Sequence, residues 1–453
     1  MAEISPDGGN KLGNQIEMRQ NQQGKRLFYG WYILAGCFTA LFVTFGSRFT
    51  FGLFFKDILQ EFSISRAELS LAVSISTIVY GLTQPLVGNL LDRYGPRAVF
   101  GLSGAVLALG LVGMGLATAT WQLYIIYGLV MGVGFGGLAF VTVSATISRW
   151  FVRRKGMAIG IATSGASVGQ FVLVPLAALV LLQYGWRVAQ ISIGILVFVV
   201  IIPLSLWVIK KSPAMVGCGP DGGPLEGEGM GSSGNEPRPQ IPSQRPLLAF
   251  RTRAFWKLSG TFFVCGFTSL LVSTHLAAYV TDLGYSQVNA AFALALLGGV
   301  NFLGVIGIGS ISDKIGRRLP LSAVYFVRGL SFLLLLNAEN IIFLYLFVLV
   351  FGLSWMATVP LTSAMVAEIF GPAYLGTIFG AVSFGHQVGG ALGSFLAGFL
   401  FDLTGSYFAA FMMGLALCMA ASIFAYLLNE RPLQERVQIP GAVEPLPTRS
   451  FPV

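Results

Sequence analysis

The chain has 453 residues, of which 55% are hydrophobic and 10% are charged, and its formal net charge is +9. A soluble globular domain carries about 25% charged residues, so this composition excludes an ordinary soluble protein and indicates a chain that crosses a membrane many times. The four cysteines are scattered without the paired spacing of a zinc site, and we expect neither a metal ion nor another cofactor.

The chain begins with a polar segment that is rich in Asn, Gln and Gly. This segment lacks the apolar core of a cleaved signal peptide, so the first apolar run is expected to act as the insertion signal. We therefore interpret residues 1–28 as an N-terminal tail.

Twelve apolar runs follow, and each has about the 20 residues needed to cross the hydrocarbon layer of a membrane. We number these runs spans 1 to 12 in chain order. They are predicted at 30–55, 69–91, 98–118, 121–147, 156–182, 188–209, 254–281, 288–311, 319–337, 341–367, 374–400 and 406–428. The sequence therefore predicts an all-α polytopic fold with twelve transmembrane helices.

A segment dominated by Gly, Pro and Ser separates spans 6 and 7. Residues 210–253 contain few large apolar side chains, so we predict a flexible cytoplasmic linker. The linker divides the chain into an N-terminal six-helix bundle at 29–209 and a C-terminal six-helix bundle at 254–430. The Pro-rich residues 431–453 are predicted to form a second cytoplasmic tail.

The positions of the basic residues predict the orientation in the membrane. An even number of spans places both termini on one side, and cytoplasmic loops carry the excess of Lys and Arg. Of the 28 basic residues, only Lys56, Arg66 and Arg187 fall on the side opposite the termini, while Arg48 and Arg328 lie inside spans. Both termini are therefore predicted to be cytoplasmic, and the net positive charge is explained without a nucleic-acid partner.

One charged phrase occurs twice in the chain. The sequence "GNLLDRYGPR" at Gly88–Arg97 returns as "GSISDKIGRR" at Gly309–Arg318, each time in the turn after the second span of a half. The starts of spans 5 and 11, Gly160–Gln170 and Gly380–Gly390, align in the same register through their glycines. Two similar halves in the same orientation predict a pseudo-twofold axis along the membrane normal.

The repeated phrase is a candidate conformational latch on the cytoplasmic side. A carboxylate in such a turn can pair with a nearby Arg or cap a helix N-terminus. The alternative is that these charges only fix the topology and cap turns. The candidate latch residues are Gly88, Asp92, Arg93, Arg97, Gly309, Asp313, Lys314, Arg317 and Arg318.

These motifs resemble those of the major facilitator superfamily. The doubled phrase is similar to the loop signature of that family, and Phe151–Gly169 is similar to the monocarboxylate-transporter signature. Thr274–Gly284 and His386–Tyr407 resemble bacterial relatives and oxalate/formate-type antiporters. Val305 stands where carboxylate-transporting members usually have an Arg, and His386 falls near the Lys of the oxalate-type exchangers. The resemblance implies secondary transport through a site between two six-helix bundles.

Few ionisable side chains lie inside the spans. Arg48, His275, Arg328 and His386 are candidate cationic groups, and no Asp or Glu lies deep in a span. An Arg at the bilayer centre costs about 2.5–3.5 kcal/mol, so each must face protein or water, and cations without acids favour an anionic substrate. The alternatives are that Arg48 extends to the outer surface, that His275 bonds a backbone carbonyl and that Arg328 joins helices. The neutral polar residues that could complete the substrate site are Tyr80, Gln84, Tyr127, Gln170 and Asn301.

The sequence thus predicts a secondary active transporter, and not an enzyme, that carries a small organic anion, a mono- or dicarboxylate, by alternating access. A proton is a candidate coupling ion, because histidine is the side chain that changes charge near neutral pH. The alternatives are efflux of amphipathic or drug-like solutes by proton antiport, and a membrane sensor or receptor that does not transport. We expect a monomer in the lipid bilayer of a bacterial inner (plasma) membrane.

Overall fold

The structure, a computed structural model, describes residues 28–223, 246–371 and 375–429, and within these ranges the chain is helical with no β-strand. The predicted tails at 1–28 and 431–453 lie outside the described residues, except for Phe28. The helices of the N-terminal half are Gly30–Phe62, Arg66–Tyr94, Pro96–Gly115, the segments of Thr120–Ile147, and Lys155–Val208. The helices of the C-terminal half are Arg253–Asp282, Gln287–Ile315, Arg318–Leu336, the segments of Ile341–Phe370, Leu375–Thr404 and Phe408–Tyr426.

The helices confirm the predicted all-α polytopic fold. Among the described residues, 10 helices are long and apolar enough to cross a membrane. One of them, Lys155–Val208, has 54 residues and bends at Gly185, where φ is 80°, so it supplies both span 5 and span 6. Leu375–Thr404 is a further helix of 30 residues. The described helices are therefore consistent with twelve spans.

Glycines with positive φ angles end corresponding spans in the two halves. Gly95 and Gly316, the second glycines of the repeated charged phrase, have φ values of 82° and 86° and end spans 2 and 8. A residue with a Cβ is strained at such φ values, which explains why glycine is present in both copies of the phrase. Gly185 and Gly405, which follow spans 5 and 11, have φ values of 80° and 69°. The repeated sequence thus reflects a repeated fold.

Glycines allow two helix pairs to pack with their backbones in contact. A Cβ on Gly169 of span 5 would lie 2.0 Å from the carbonyl oxygen of Phe42 in span 1. In the other half, a Cβ on Gly389 of span 11 would lie 2.0 Å from the carbonyl oxygen of Phe263 in span 7. These close approaches match the helix packing expected of small residues in membrane helices, and they set the same register in both halves.

The bundle has two ends, which we call the terminus side and the far side. The terminus side carries Phe28 and Asn429, the first and last described residues, and the far side carries the turns 63–65 and 283–286. The halves contact each other at mid-depth and on the far side. On the far side, Lys56 and Arg66 of the N-terminal half pair with Asp282 of the C-terminal half at 2.9 and 2.7 Å. The structure is therefore closed on the far side.

The first part of the predicted linker packs against the N-terminal half. The carboxylate of Asp221 accepts hydrogen bonds from the backbone N–H groups of Val152 and Arg153 at 3.1 and 2.9 Å. The N–H of Asp221 donates to the carbonyl oxygen of Trp150 at 2.9 Å. This part differs from the flexible segment that its composition predicts, because Asp221 satisfies N–H groups in the turn before span 5 that have no helical partner. Residues 224–245 of the linker lie outside the described ranges.

Candidate functional site

A cavity of about 160 Å³ lies between the two halves. Spans 1, 2 and 4 line it from the N-terminal half, and spans 7, 10 and 11 line it from the C-terminal half. None of the described residues that line this cavity is an acid. The predicted substrate-site residues that line it are Arg48, Tyr80, Gln84, Tyr127 and His386. Because transporters bind substrate where their two halves meet, this cavity is the candidate substrate site.

Arg48 of span 1 places a fixed positive charge in the cavity. Its Nη2 donates to the hydroxyl of Thr77 at 3.4 Å, and its guanidinium lies 4.7 Å from the ring centroid of Tyr80 and 5.2 Å from that of Phe135. Cation–π contacts of this kind fix the orientation of the guanidinium without neutralising its charge. Nη1 is buried and has no hydrogen-bond partner among the residues that the structure describes. Arg48 therefore does not extend to the outer surface, and the two N–H groups of Nη1 are available for an anion.

His386 of span 11 contributes a ring nitrogen from the other half. Its Nδ1 is buried and has no hydrogen-bond partner in the described part of the chain, and its ring lies 4.8 Å from that of Phe262. A histidine nitrogen can donate or accept a hydrogen bond, depending on its protonation. The cavity thus contains one unpartnered buried nitrogen from each half.

An aromatic row that the sequence did not single out runs along the cavity. It consists of Phe140, Phe45, Phe49 and Trp355, whose successive ring centroids lie 4.5, 6.3 and 5.2 Å apart. The row passes from span 4 through span 1 to span 10, so it continues from one half into the other. The sequence did not single out these rings because it contains 37 Phe residues and does not show which of them face lipid and which face the cavity.

His275 lies outside the cavity, contrary to its prediction as a substrate-site residue. Its Nε2 lies 2.9 Å from the carbonyl oxygen of Ser394, and its Nδ1 lies 3.0 Å from the hydroxyl of Tyr407. A carbonyl only accepts hydrogen bonds, so Nε2 carries the proton and Nδ1 accepts from Tyr407. This is the alternative interpretation, in which His275 bonds a backbone carbonyl.

A charged cluster next to His275 joins the halves on the far side, and we call it the far-side lock. It consists of Lys56 and Arg66 from the N-terminal half and Asp282, Asp402 and Tyr407 from the C-terminal half. Asp282 accepts from Lys56 Nζ at 2.9 Å and from Arg66 Nη2 at 2.7 Å. Asp402 accepts from two backbone N–H groups in the first turn of span 2 at 3.1 and 2.7 Å, where a negative charge is favoured by the helix dipole. Arg66 Nη1 also donates to Tyr407 at 2.5 Å.

Gln170 and Asn301 also join the halves and do not line the cavity. Gln170 Nε2 of span 5 donates to the carbonyl oxygen of Leu294 in span 8 at 2.8 Å. Asn301 Nδ2 of span 8 donates to the hydroxyl of Ser167 in span 5 at 2.8 Å. The prediction that these two residues complete the pocket is therefore replaced by a role in the contact between spans 5 and 8.

Arg328 is fully buried within the C-terminal half and does not line the cavity. It donates to the carbonyl oxygens of Ser354 and Trp355, at the break between Ile341–Ser354 and Thr358–Phe370. Carbonyls at a helix end lack helical partners, so Arg328 satisfies them. The N–H of Met356 in the same break donates to Asn301 Oδ1 at 2.9 Å. Arg328 thus joins spans 9 and 10, as the alternative interpretation expects, and supports the segment that carries Trp355.

Arg317 and Arg93, which belong to the candidate latch residues, make contacts within their own halves. Arg317 Nε pairs with Glu368 at the end of span 10 at 3.2 Å, and the guanidinium of Arg93 lies 5.2 Å from the ring centroid of Tyr94. The side chains of Asp92 and Asp313 lie outside the described part of the structure. A latch that acts between the halves therefore stays a prediction.

The family model of the Major Facilitator Superfamily matches residues 37–360 and 302–451. The chain belongs to the Major Facilitator Superfamily. A solved bacterial homolog of the human lysosomal transporter Spinster, in an inward-facing and occupied conformation, has the same fold. Its TM-score is 0.67 at 17% sequence identity, over 89% of this chain and 96% of that chain. The predictions of family, of fold class and of a transporter that is not an enzyme are confirmed by this membership.

Several relatives in the superfamily match over most of their length. Monocarboxylate transporter 13 of Rattus norvegicus is 28% identical, over 92% of this chain and 96% of that protein. Monocarboxylate transporter 12 of Homo sapiens is 28% identical, over 88% of this chain and 80% of that protein. The MFS-type transporter YcxA of Bacillus subtilis (strain 168) is 27% identical, over 83% of this chain and 90% of that protein. The resemblance to monocarboxylate transporters is therefore confirmed, and as a family member the chain acts on a small molecule.

Proposed function

We propose that this superfamily member is a secondary active transporter of a small organic anion, a mono- or dicarboxylate. The observation that carries the proposal concerns Arg48 and is limited to the described residues: its buried Nη1 has no partner among them, and none of those that line the cavity is an acid. A buried charged donor without a partner is costly, and a carboxylate bound beside it would form a charge-assisted hydrogen bond. The names of the monocarboxylate-transporter relatives support the same substrate class.

Transport proceeds by alternating access in this proposal. The two predicted bundles rock against each other around the cavity, and the far-side lock must open before substrate can leave or enter on that side. With both termini in the cytoplasm of a bacterial cell, the described conformation faces inward. A coupled proton or an exchanged anion would drive the cycle, and a monomer contains the whole pathway.

The proposal is tested by counterflow in proteoliposomes that contain the full chain. Labelled mono- and dicarboxylates are compared with a lipophilic cation, and exchange of the cation alone would refute the proposal. Arg48→Gln is expected to raise the apparent KM for the exchanged anion about 10- to 100-fold, because a charge-assisted hydrogen bond is lost. The apparent KM of Arg48→Lys should fall between those of the parent chain and Arg48→Gln, because Lys keeps the positive charge but lacks the planar guanidinium that can bind a carboxylate through two N–H groups.

The matched control is Arg154→Gln, which removes an exposed arginine near the start of span 5. It should leave the apparent KM unchanged. An equal change in both variants, or no change in Arg48→Gln, would show that Arg48 does not bind the substrate.

A further inference from the structure

The distribution of charge and aromatic rings around the cavity narrows the substrate class. Resting on the proposed function, we infer that the substrate is a monocarboxylate with an aromatic body, and that small polar acids and dicarboxylates are poor substrates. The carboxylate binds at Arg48, and the ring lies along the aromatic row.

The C-terminal half has no counterpart of Arg48. The contacts of Gly169 with Phe42 and of Gly389 with Phe263 set the register between spans 1 and 7. Arg48 lies six positions after Phe42, and the residue six positions after Phe263 is Ser269, which also lines the cavity. Where the first half presents a guanidinium, the second therefore presents a hydroxyl. Among the described lining residues, the permanently charged group thus belongs to the N-terminal half.

A dicarboxylate fits such a site poorly. Its second carboxylate would be buried against the lining of the C-terminal half, which includes Leu270, Met356 and Val359 and has no lysine or arginine among its described residues. His386 can give this carboxylate a hydrogen bond from one ring nitrogen, but a neutral histidine leaves most of the desolvation cost of the buried charge uncompensated. We expect a dicarboxylate to bind at least about a hundredfold more weakly than the matching monocarboxylate.

The size and lining of the cavity favour an aromatic ring. The volume of about 160 Å³ is close to the engineered apolar cavity of about 150 Å³ that is known to bind benzene in another protein. Phe49 and Trp355 of the aromatic row meet edge to face at 5.2 Å, and Phe262 and Phe379, whose rings lie 5.9 Å apart, add a second aromatic pair. Aromatic rings attract one another in edge-to-face and offset geometries, so a ring in the substrate gains contacts that lactate cannot make.

Four probes in the counterflow assay test the inference. Phenylacetate carries a ring and one carboxylate, lactate lacks the ring, succinate has two carboxylates, and phenylacetamide keeps the ring without the charge. Phenylacetate should be exchanged with an apparent affinity at least about tenfold above lactate and about a hundredfold above succinate, and phenylacetamide should compete poorly. Exchange of lactate or succinate in preference to phenylacetate would overturn the inference and leave the proposed function intact. Failure of all three anions to exchange would refute the proposed function itself.

Variants of the cavity wall provide a second readout. Phe379→Leu and Trp355→Leu should lower the ratio of phenylacetate to lactate exchange about tenfold, because they remove ring contacts but keep an apolar wall. Phe198→Leu, which changes a ring that is 50% exposed on span 6, is the matched control and should leave the ratio unchanged. Thermal unfolding of each variant shows whether it has folded. An unchanged ratio in Phe379→Leu, with lactate exchange retained, would contradict the assignment of the ring to this wall.

Discussion

Replacing Asp282 by Asn should open the far side of the transporter. Asp282 pairs across the halves with Lys56 at 2.9 Å and with Arg66 at 2.7 Å, and the side chains of Arg66 and Asp282 are 11% and 26% exposed. Fully exposed pairs contribute about 0.2–1 kcal/mol each, and breaking a buried pair costs about 3–5 kcal/mol. For two partly buried pairs we expect about 2 kcal/mol, which is about a 30-fold shift toward states with the far side open.

Spin labels report this shift as a distance. Cysteines introduced at Thr118 in the N-terminal half and at Leu403 in the C-terminal half lie in exposed positions on the far side. Pulsed electron–electron double resonance should show one short distance between the two spin labels in the parent chain and a second, longer distance in Asp282→Asn. High salt should increase the longer component in the parent chain, because it screens partly exposed pairs.

Glu61→Gln is the matched control for this experiment. Glu61 pairs with Arg187 at 2.7 Å and accepts from Trp186 at 2.5 Å, but all three residues belong to the N-terminal half. The variant loses a far-side ion pair without loosening a contact between the halves, so the distance distribution should not change. If Asp282→Asn behaves like its parent, or if Glu61→Gln opens the far side equally, the far-side lock does not hold the halves together.

Three further predictions follow from the packing. Gly169→Ala should prevent stable folding, because the new Cβ would lie 2.0 Å from a backbone oxygen, and thermal unfolding in detergent measures this. Gly160→Ala should leave thermal stability unchanged, because a Cβ there would meet no described atom within 4 Å. His275→Ala should lower thermal stability by about 1–3 kcal/mol, because buried partners lose their hydrogen bonds, but should leave the apparent KM unchanged. Arg328→Met should lower stability and weaken the preference for ring-containing substrates in counterflow, because the segment that carries Trp355 loses its support.

The fold could be predicted from the sequence because the features that indicate it depend on the order of residues along the chain. Runs of apolar residues, the long Gly- and Pro-rich segment and the doubled phrase are each visible without knowing which way a side chain points. The repeated Gly95 and Gly316 then proved to have the same positive φ, so even this detail of the repeat had a local cause. The bend at Gly185 lies in the predicted connection between spans 5 and 6, whereas the breaks inside spans 4 and 10 were not predicted, because apolar runs continue through them.

The site could be predicted only in part, because depth in the membrane does not determine direction around a helix. Thr274 lines the cavity, whereas His275, the next residue, faces Tyr407 and Ser394. Successive residues of an α-helix are about 100° apart around its axis, so one position separates a pocket from a contact between helices. In the sequence, Arg48 and His275 are both candidate cationic residues inside a span, and only their contacts in the structure distinguish them.

The guanidinium of Arg48 has an electrical consequence for the transport cycle. Arginine stays protonated under all physiological conditions, so the empty cavity carries a positive charge, and a bound monoanion cancels it. A charge that moves through the whole membrane potential changes the free energy by about 2.3 kcal/mol per 100 mV. Without a coupled proton, the loaded carrier would reorient as a neutral unit, whereas the empty carrier would respond to voltage, so anion-for-anion exchange should be insensitive to potential and net flux should depend on it.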